Sequence, residues 1–242
     1  MLAALALLAL QASFLCGSAM AAINSALVPT PRDFPTNWVA QHNANVAAAK
    51  RGGVDILFIG DSITAGWAWR NGGSLLWDKD YAPRHAANFG IGWDRIQNVL
   101  WRVENGELDG IHPRDVILLI GTNNTGNEDN GRPRNSPGEI VEGIENLVNQ
   151  IQTRLPGARI LLFGLFPRGE SGDPVREQVK AVNAQLEKWA PGHVKFLDIG
   201  NRFLDPDGTL PRSMFPDLLH PNASGYAIWS NAIDAALGIS EP

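Results

Sequence analysis

Four short blocks of this chain hold residue types that together could open an ester. Gly60-Asp61-Ser62-Ile63-Thr64 offers a hydroxyl, and Asp217-Leu218-Leu219-His220 pairs a carboxylate with an imidazole. Asn88-Phe89-Gly90-Ile91-Gly92 and Gly121-Thr122-Asn123-Asn124 offer backbone and amide donors. A serine hydroxyl is a weak nucleophile at neutral pH and needs a base within hydrogen-bond reach. His220 is the candidate base for Ser62. Asp217, three residues earlier, can reach the imidazole N–H across a turn and hold its tautomer. The attacked carbonyl becomes an oxyanion that needs preorganised donors. The backbone N–H groups of Ser62 and Gly90 and the side-chain amide of Asn123 are the candidates.

Taken singly, each block has a plainer reading. Gly-Asp-Ser is a common turn, Asn-Asn is a frequent turn pair, and Asp-x-x-His can cap a helix. Gly90 alone could serve only helix–sheet packing. The blocks gain force from where they fall. Val54–Gly60 (VDILFIG), Ala86–Gly90, Val116–Gly121 (VILLIG), Ile160–Phe166 and Val194–Ile199 read as short strands, most of them apolar runs typical of buried parallel strands. Between them lie helical patterns. Residues 63–70 can form a helical turn. Asp94 can cap a helix to about Val103, with Ile96, Val99, Leu100 and Val103 on one face. Ser136-Pro137 with Glu139 opens a helix to about Leu155. Val175–Trp189 and Asn222–Leu237 complete the set, and an Ala/Asn-rich stretch before residue 50 can also be helical. Such alternation predicts an α/β fold with a parallel sheet and helices on both faces. In such folds sites lie beyond the carboxyl ends of the strands, where these blocks fall.

The 242 residues, 44% hydrophobic and 19% charged, suit a single domain. With 20 basic against 25 acidic residues, the composition argues against nucleic-acid binding. One cysteine, Cys16, excludes a disulfide framework and a thiolate zinc site. His42, His85, His112 and His193 share no ligand spacing, so no metal is expected. The dinucleotide and phosphate-loop glycine patterns are absent, as is Gly-x-Ser-x-Gly around Ser62. Residues 2–20 form an apolar run, and Ala19-Met20-Ala21 fits a small-x-small cleavage site. The expectation is a signal peptide over residues 1–21, though no Lys or Arg precedes it. A single domain over 22–242, secreted or periplasmic and without stable membrane insertion after processing, follows.

The four blocks resemble those of the SGNH, or GDSL, hydrolases. Within that family the likeness is closest to the catalytic alpha subunits of platelet-activating factor acetylhydrolase. Asn88–Val103, His112–Asn124, Leu165–Asn183 and Met214–Tyr226 carry it, and it runs from about Asn37 to Leu237. The resemblance implies a flavodoxin-like three-layer α/β/α fold with five parallel strands. It also implies cofactor-free and metal-free ester hydrolysis by Ser62, Asp217 and His220, with Ser62, Gly90 and Asn123 as the oxyanion hole. A homodimer is a further implication. The sequence departs from the family pattern at Ile63, in place of the motif's Leu, and at Trp93 near Gly90.

The resemblance favours a short acyl group, acetyl or little longer. Trp67, Trp69, Trp77, Trp93 and Trp101 crowd around the first two blocks. Indole faces stack well on sugar rings, so Trp67 and Trp93 are candidates for a carbohydrate platform, while core packing is the plainer role. Asp61, Trp67, Trp93 and Arg168 are the substrate-binding candidates; Arg168 either lines the cleft or makes a structural ion pair. The expected partner is a small-molecule or carbohydrate ester. The alternatives are a lysophospholipase or thioesterase and, in another class, an inactive carbohydrate-binding protein.

Overall fold

The computed structural model describes residues 23–33 and 37–239. The apolar leader, with Cys16 and the expected cut after Ala21, lies outside them.

Five strands, β1 (Ile56–Gly60), β2 (Ala86–Gly90), β3 (Asp115–Leu119), β4 (Arg159–Phe163) and β5 (Val194–Leu197), form one sheet in the order β2-β1-β3-β4-β5. All pairings are parallel, with Gly60 opposite Gly90 on one side and Leu119 on the other. β1 and β3 are wholly buried, which explains the apolar runs Ile56–Ile59 and Val116–Leu119 within them. Helices α1 (Trp38–Arg51), α2 (Ser62–Ala65), α3 (Ser74–Leu76), α4 (Ile96–Glu104), α5 (Pro137–Arg154), α6 (Pro174–Trp189) and α7 (Ala223–Leu237) surround it. α4, α5 and α6 pack side by side, while α7 meets α3. The expected α/β architecture is the one found. Among the described residues no helix is long and apolar enough to cross a membrane.

The helix starts show how local chemistry and burial compete. Ser136 accepts from Glu139 N–H while Glu139 reaches back to Ser136 N–H, and Pro137 follows, as the sequence predicts. Asn222 likewise caps α7 through Ser224 N–H at 3.0 Å. Asp94 does not cap α4; Arg95 occupies that position. The Asp94 side chain turns inward instead, accepting from Trp38 Nε1 at 2.7 Å and meeting Arg102 Nε at 2.8 Å. A buried cation outcompetes a surface cap for the carboxylate.

The chain leaves β1 for β2 on one side and then crosses back to β3 on the other. That reversal opens a crevice at the carboxyl ends of β1 and β3. Ser62 follows β1, Gly90 ends β2, and Asn123 follows β3, so three of the four chemical blocks converge there.

Candidate active site

Ser62 is the first residue of α2, directly after β1. Asp61 stands at the N-cap, its Oδ1 accepting from Ile63 N–H at 2.9 Å. The leading N–H groups of a helix have no intrahelical acceptor, so the Ser62 N–H is left available. Ser62 Oγ lies 2.8 Å from His220 Nε2, and His220 Nδ1 lies 2.6 Å from Asp217 Oδ2. The other carboxylate oxygen of Asp217 accepts from the backbone N–H of His220 at 2.7 Å and of Leu219 at 3.0 Å. One carboxylate thus fixes both the turn and the ring. Leu218, at φ 58°, supplies the left-handed residue this turn needs. Burial works against the Asp217 charge, but the bonds from His220 and Leu219 outweigh it and hold the carboxyl below its usual range.

Asn123 sits in a 3₁₀ turn, Thr122–Asn124, after Gly121, whose φ of 122° only glycine adopts readily. Its Nδ2 donates to Asp94 O at 2.9 Å, which uses one amide hydrogen and leaves the second for the cleft. Asn124 beside it is fully buried and ties three elements together. It accepts from Ile96 N–H at 3.0 Å and donates to Gln97 and Asn135.

The other sequence candidates separate sharply. Gly90 N–H already donates to Asn88 Oδ1 at 2.9 Å. A Cβ at Gly90 would collide with the backbone of Thr64 and Ala65, so glycine is required for close approach of the helix that carries Ser62. Asp61 is buried and caps α2 rather than facing a substrate; burial raises its carboxyl to about 7. Trp67 is fully buried, edge-on to Phe58, Tyr81 and Tyr226 and tilted on Trp229, and belongs to the core. Arg168 makes no ion pair closer than 4.0 Å among the described residues. Its Nη1 donates to Thr122 O at 2.9 Å and so braces the Asn123 turn, and burial lowers its pKa. Trp93 alone of the four is 61% exposed.

The structure adds residues the sequence did not single out. Trp69 packs edge-on to His220, ring centroids 5.4 Å apart, beside a cleft shared with Asp217 and Pro221. On the opposite side of Ser62, a cleft of about 270 Å³ is lined by Asn123, Trp93 and three arginines, Arg32, Arg95 and Arg134. These arginines come from three separate loops, and no spacing in the chain links them.

Beneath this side lies a charged cluster sealed from water. Arg102, fully buried, donates to Phe89 O at 2.8 Å, Gly60 O at 3.1 Å and Glu107 at 2.6 Å. Glu107 also meets His42 at 3.2 Å and Asn45 at 3.1 Å. Burial pushes Glu107 up, but the Arg102 charge and the bonds from His42, Arg102 and Asn45 together outweigh it and hold the carboxyl below its usual range. Arg102 therefore ties the ends of β1 and β2 to the loop that carries Asp94 and, through it, Asn123.

The sequence from 58 to 228 matches the GDSL-like Lipase/Acylhydrolase family. The chain belongs to that family. It is 38% identical over 192 residues to platelet-activating factor acetylhydrolase IB subunit alpha2 of Homo sapiens, covering 78% of this chain and 79% of that protein. The alpha1 subunit of Bos taurus is 35% identical over 219 residues, covering 88% and 89%. A variant of an acetyl-xylooligosaccharide esterase from Geobacillus Stearmophilus shares the fold, with TM-score 0.61 at 21% identity over 78% of this chain and 96% of that one. The GDSL chain described here is a carboxylic ester hydrolase, and the hydrogen-bonded Ser62, His220 and Asp217 are the residues in its crevice suited to that chemistry.

Proposed function

We propose that this hydrolase removes short acyl groups, acetyl foremost, from a carbohydrate or similar small polyol through an acyl-enzyme on Ser62. The chain of contacts from Ser62 Oγ to His220 Nε2 and from His220 Nδ1 to Asp217 carries the reading. Ser62 Oγ attacks the ester carbonyl and His220 takes its proton. The oxyanion is held by the Ser62 N–H and the uncommitted Asn123 amide hydrogen. Collapse expels the alcohol with the proton from His220. Water then attacks the acyl-enzyme, with His220 again as base, and the acid leaves.

Three observations support the acyl size and alcohol class. The curated relatives are named for acetyl hydrolysis, and a solved relative of the same fold is named for acetylated xylo-oligosaccharides. Trp93 stands exposed beside Asn123, where a sugar ring can stack on it. The apolar leader with its small-x-small site favours export to where polysaccharides are met.

Pre-steady-state hydrolysis of p-nitrophenyl acetate tests the reading. A nitrophenol burst equal to the enzyme concentration, absent in Ser62→Ala, is expected. Equal turnover in both proteins overturns the Ser62 assignment. A chain-length series then tests acyl size: kcat/KM falls steeply beyond butyrate, and a rise toward long chains instead makes the protein a lysophospholipase or thioesterase.

A further inference from the structure

The cleft beside Asn123 is built for charge. Arg32 reaches it from the segment before α1, Arg95 from the β2–α4 loop, and Arg134 from the β3–α5 loop. Three guanidinium groups converge on about 270 Å³ in a protein whose net charge is −5. All three are sheltered, with side chains 17%, 26% and 22% exposed. Arginine held this way presents donors in a fixed fork suited to carboxylate or phosphate.

The acidic groups within reach do not balance them. Glu128 is taken by Arg95 in a two-pronged pair at 2.6 and 2.8 Å, and lies 3.5 Å from Arg134 Nε. Asp94, 3.6 Å from Arg32, is committed to Arg102 and Trp38. Among the described residues, the only other polar contact of Arg32 is to Gly92 O at 3.5 Å. Arg134 uses Nη1 on Asn123 O and Thr125 O, and its Nη2 makes no hydrogen bond among the described residues. Burial disfavours the Arg32 charge and Arg95 beside it adds to this; Asp94 opposes both without offsetting them, so the guanidinium stays below its usual range.

Trp93 completes the arrangement. It is exposed and holds a positive φ of 67°, a conformation uncommon for a bulky residue. That backbone sets the indole at the rim of the arginine cleft. An apolar ring face at the mouth and cations behind it make a site for a body with an anionic substituent, one side of it within reach of Asn123.

We propose that this cleft is an alcohol-side subsite that binds an anionic group, carboxylate or phosphate, carried by the ester's leaving alcohol. It rests on the hydrolase reading above, since it sets which ester that site prefers. The anion lies between Arg32 and Arg134, and Trp93 covers the adjoining ring or carbon chain. Charge-assisted bonds of this kind, partly shielded from water, make the anionic ester about 10- to 100-fold better in kcat/KM than its neutral counterpart.

The test pairs two acetyl esters with neutral controls: acetylated methyl glucuronide against acetylated methyl glucoside, and acetylglycerol phosphate against acetylglycerol. The expected result is a preference for at least one anionic member. It shrinks in high salt and falls about 10-fold in Arg32→Gln. Preference for the glucuronide alone makes the group a carboxylate, for the phosphate alone a phosphate, and for both a general anion. Arg134→Gln is the second variant should Arg32→Gln fail to fold. Calorimetric titration of glucuronate and inorganic phosphate into the full-length protein separates this proposal from the catalytic one. If acetyl esters are not turned over but an anion binds and Arg32→Gln abolishes it, the subsite stands and the Ser62 mechanism falls. If turnover is normal and neither ester pair shows a preference that Arg32→Gln or Arg134→Gln removes, the subsite is overturned.

Discussion

The two sides of Ser62 are held in place by different physics. On the side of Asn123, contacts join residues far apart in the chain and exclude water. Asn124 reaches Ile96 and Gln97, Arg102 reaches Gly60 and Phe89, and Arg168 reaches Thr122. On the side of His220, the contacts from Asp217 that set the ring's position span two or three residues, and Asp217 is 54% exposed. One side is a consequence of the fold; the other is a local turn placed on it. Buried polar networks are costly to break because an orphaned donor or charge stays in a low-dielectric interior. An exposed turn can lose a charge to solvent at little cost. Damage to the His220 side should therefore remove activity alone, and damage to the Asn123 side should remove activity and stability together.

Asp217→Asn gives the largest change in rate. The amide preserves the turn but presents the wrong partner to His220 Nδ1, and kcat falls about 10⁴-fold, by analogy with the same change in a serine protease. Thermal melting stays within a degree or two of wild type. A loss of several degrees would mean that the turn is structural as well.

Arg102→Met is the counterpart on the buried side. It strands Asp94 and Glu107, both buried, and should cost about 3–5 kcal/mol in urea unfolding. Because Asp94 O receives the Asn123 amide, kcat falls with it. Normal activity in a destabilised protein would show that the cluster supports the sheet without positioning Asn123.

Asn123→Ala comes next. Loss of one oxyanion donor costs about 10²–10³ in kcat, roughly 2.7–4 kcal/mol, with little change in KM. Removing the bond to Asp94 O also leaves that carbonyl unpaired, so a small drop in stability accompanies the kinetic loss. Full activity in this variant would remove Asn123 from the oxyanion hole.

The same division explains what could be read from the chain. The Asp217–His220 turn is legible because its contacts span three residues, and the strands are legible because burial on both faces leaves unbroken apolar runs such as Ile56–Ile59. The capping box at Ser136 is local and was equally plain. Asp94 was misread because an aspartate before an apolar helix face is a good cap, and only the fold reveals the buried Arg102 that claims it. Gly90 carried two readings, donor and close approach, and the packing of Thr64 and Ala65 on it together with the bond to Asn88 favours the second. Trp67 and Trp69 are two residues apart, yet one fills the core and the other flanks His220. No composition rule separates them, since the difference lies in where the turn after α2 points. The cleft arginines were invisible for a similar reason: each is an ordinary loop residue until three loops meet.

Asp61, directly before Ser62, differs in kind from these, since its effect is read in stability against pH rather than in rate. Burial lifts its carboxyl from 3.8 to about 7, with the Ile63 N–H working against the shift. Its Oδ2 is buried without a hydrogen-bond partner among the described residues. A raised acid binds its proton more tightly folded than unfolded, so between about pH 4 and pH 7 the folded state holds more protons. Stability from this group is present below the unfolded value and is lost as pH rises through that window. The slope from one group cannot exceed about 1.4 kcal/mol per pH unit. Asp61→Asn keeps the cap to Ile63 and removes the titration. Urea unfolding from pH 4 to 8 should show wild type losing stability relative to Asp61→Asn up to about pH 7, after which the curves run parallel. Parallel curves throughout would mean that Arg168, whose charge favours the ionised form, keeps Asp61 a carboxylate across the whole range. Ser62 would then sit beside a fixed negative charge rather than a neutral acid.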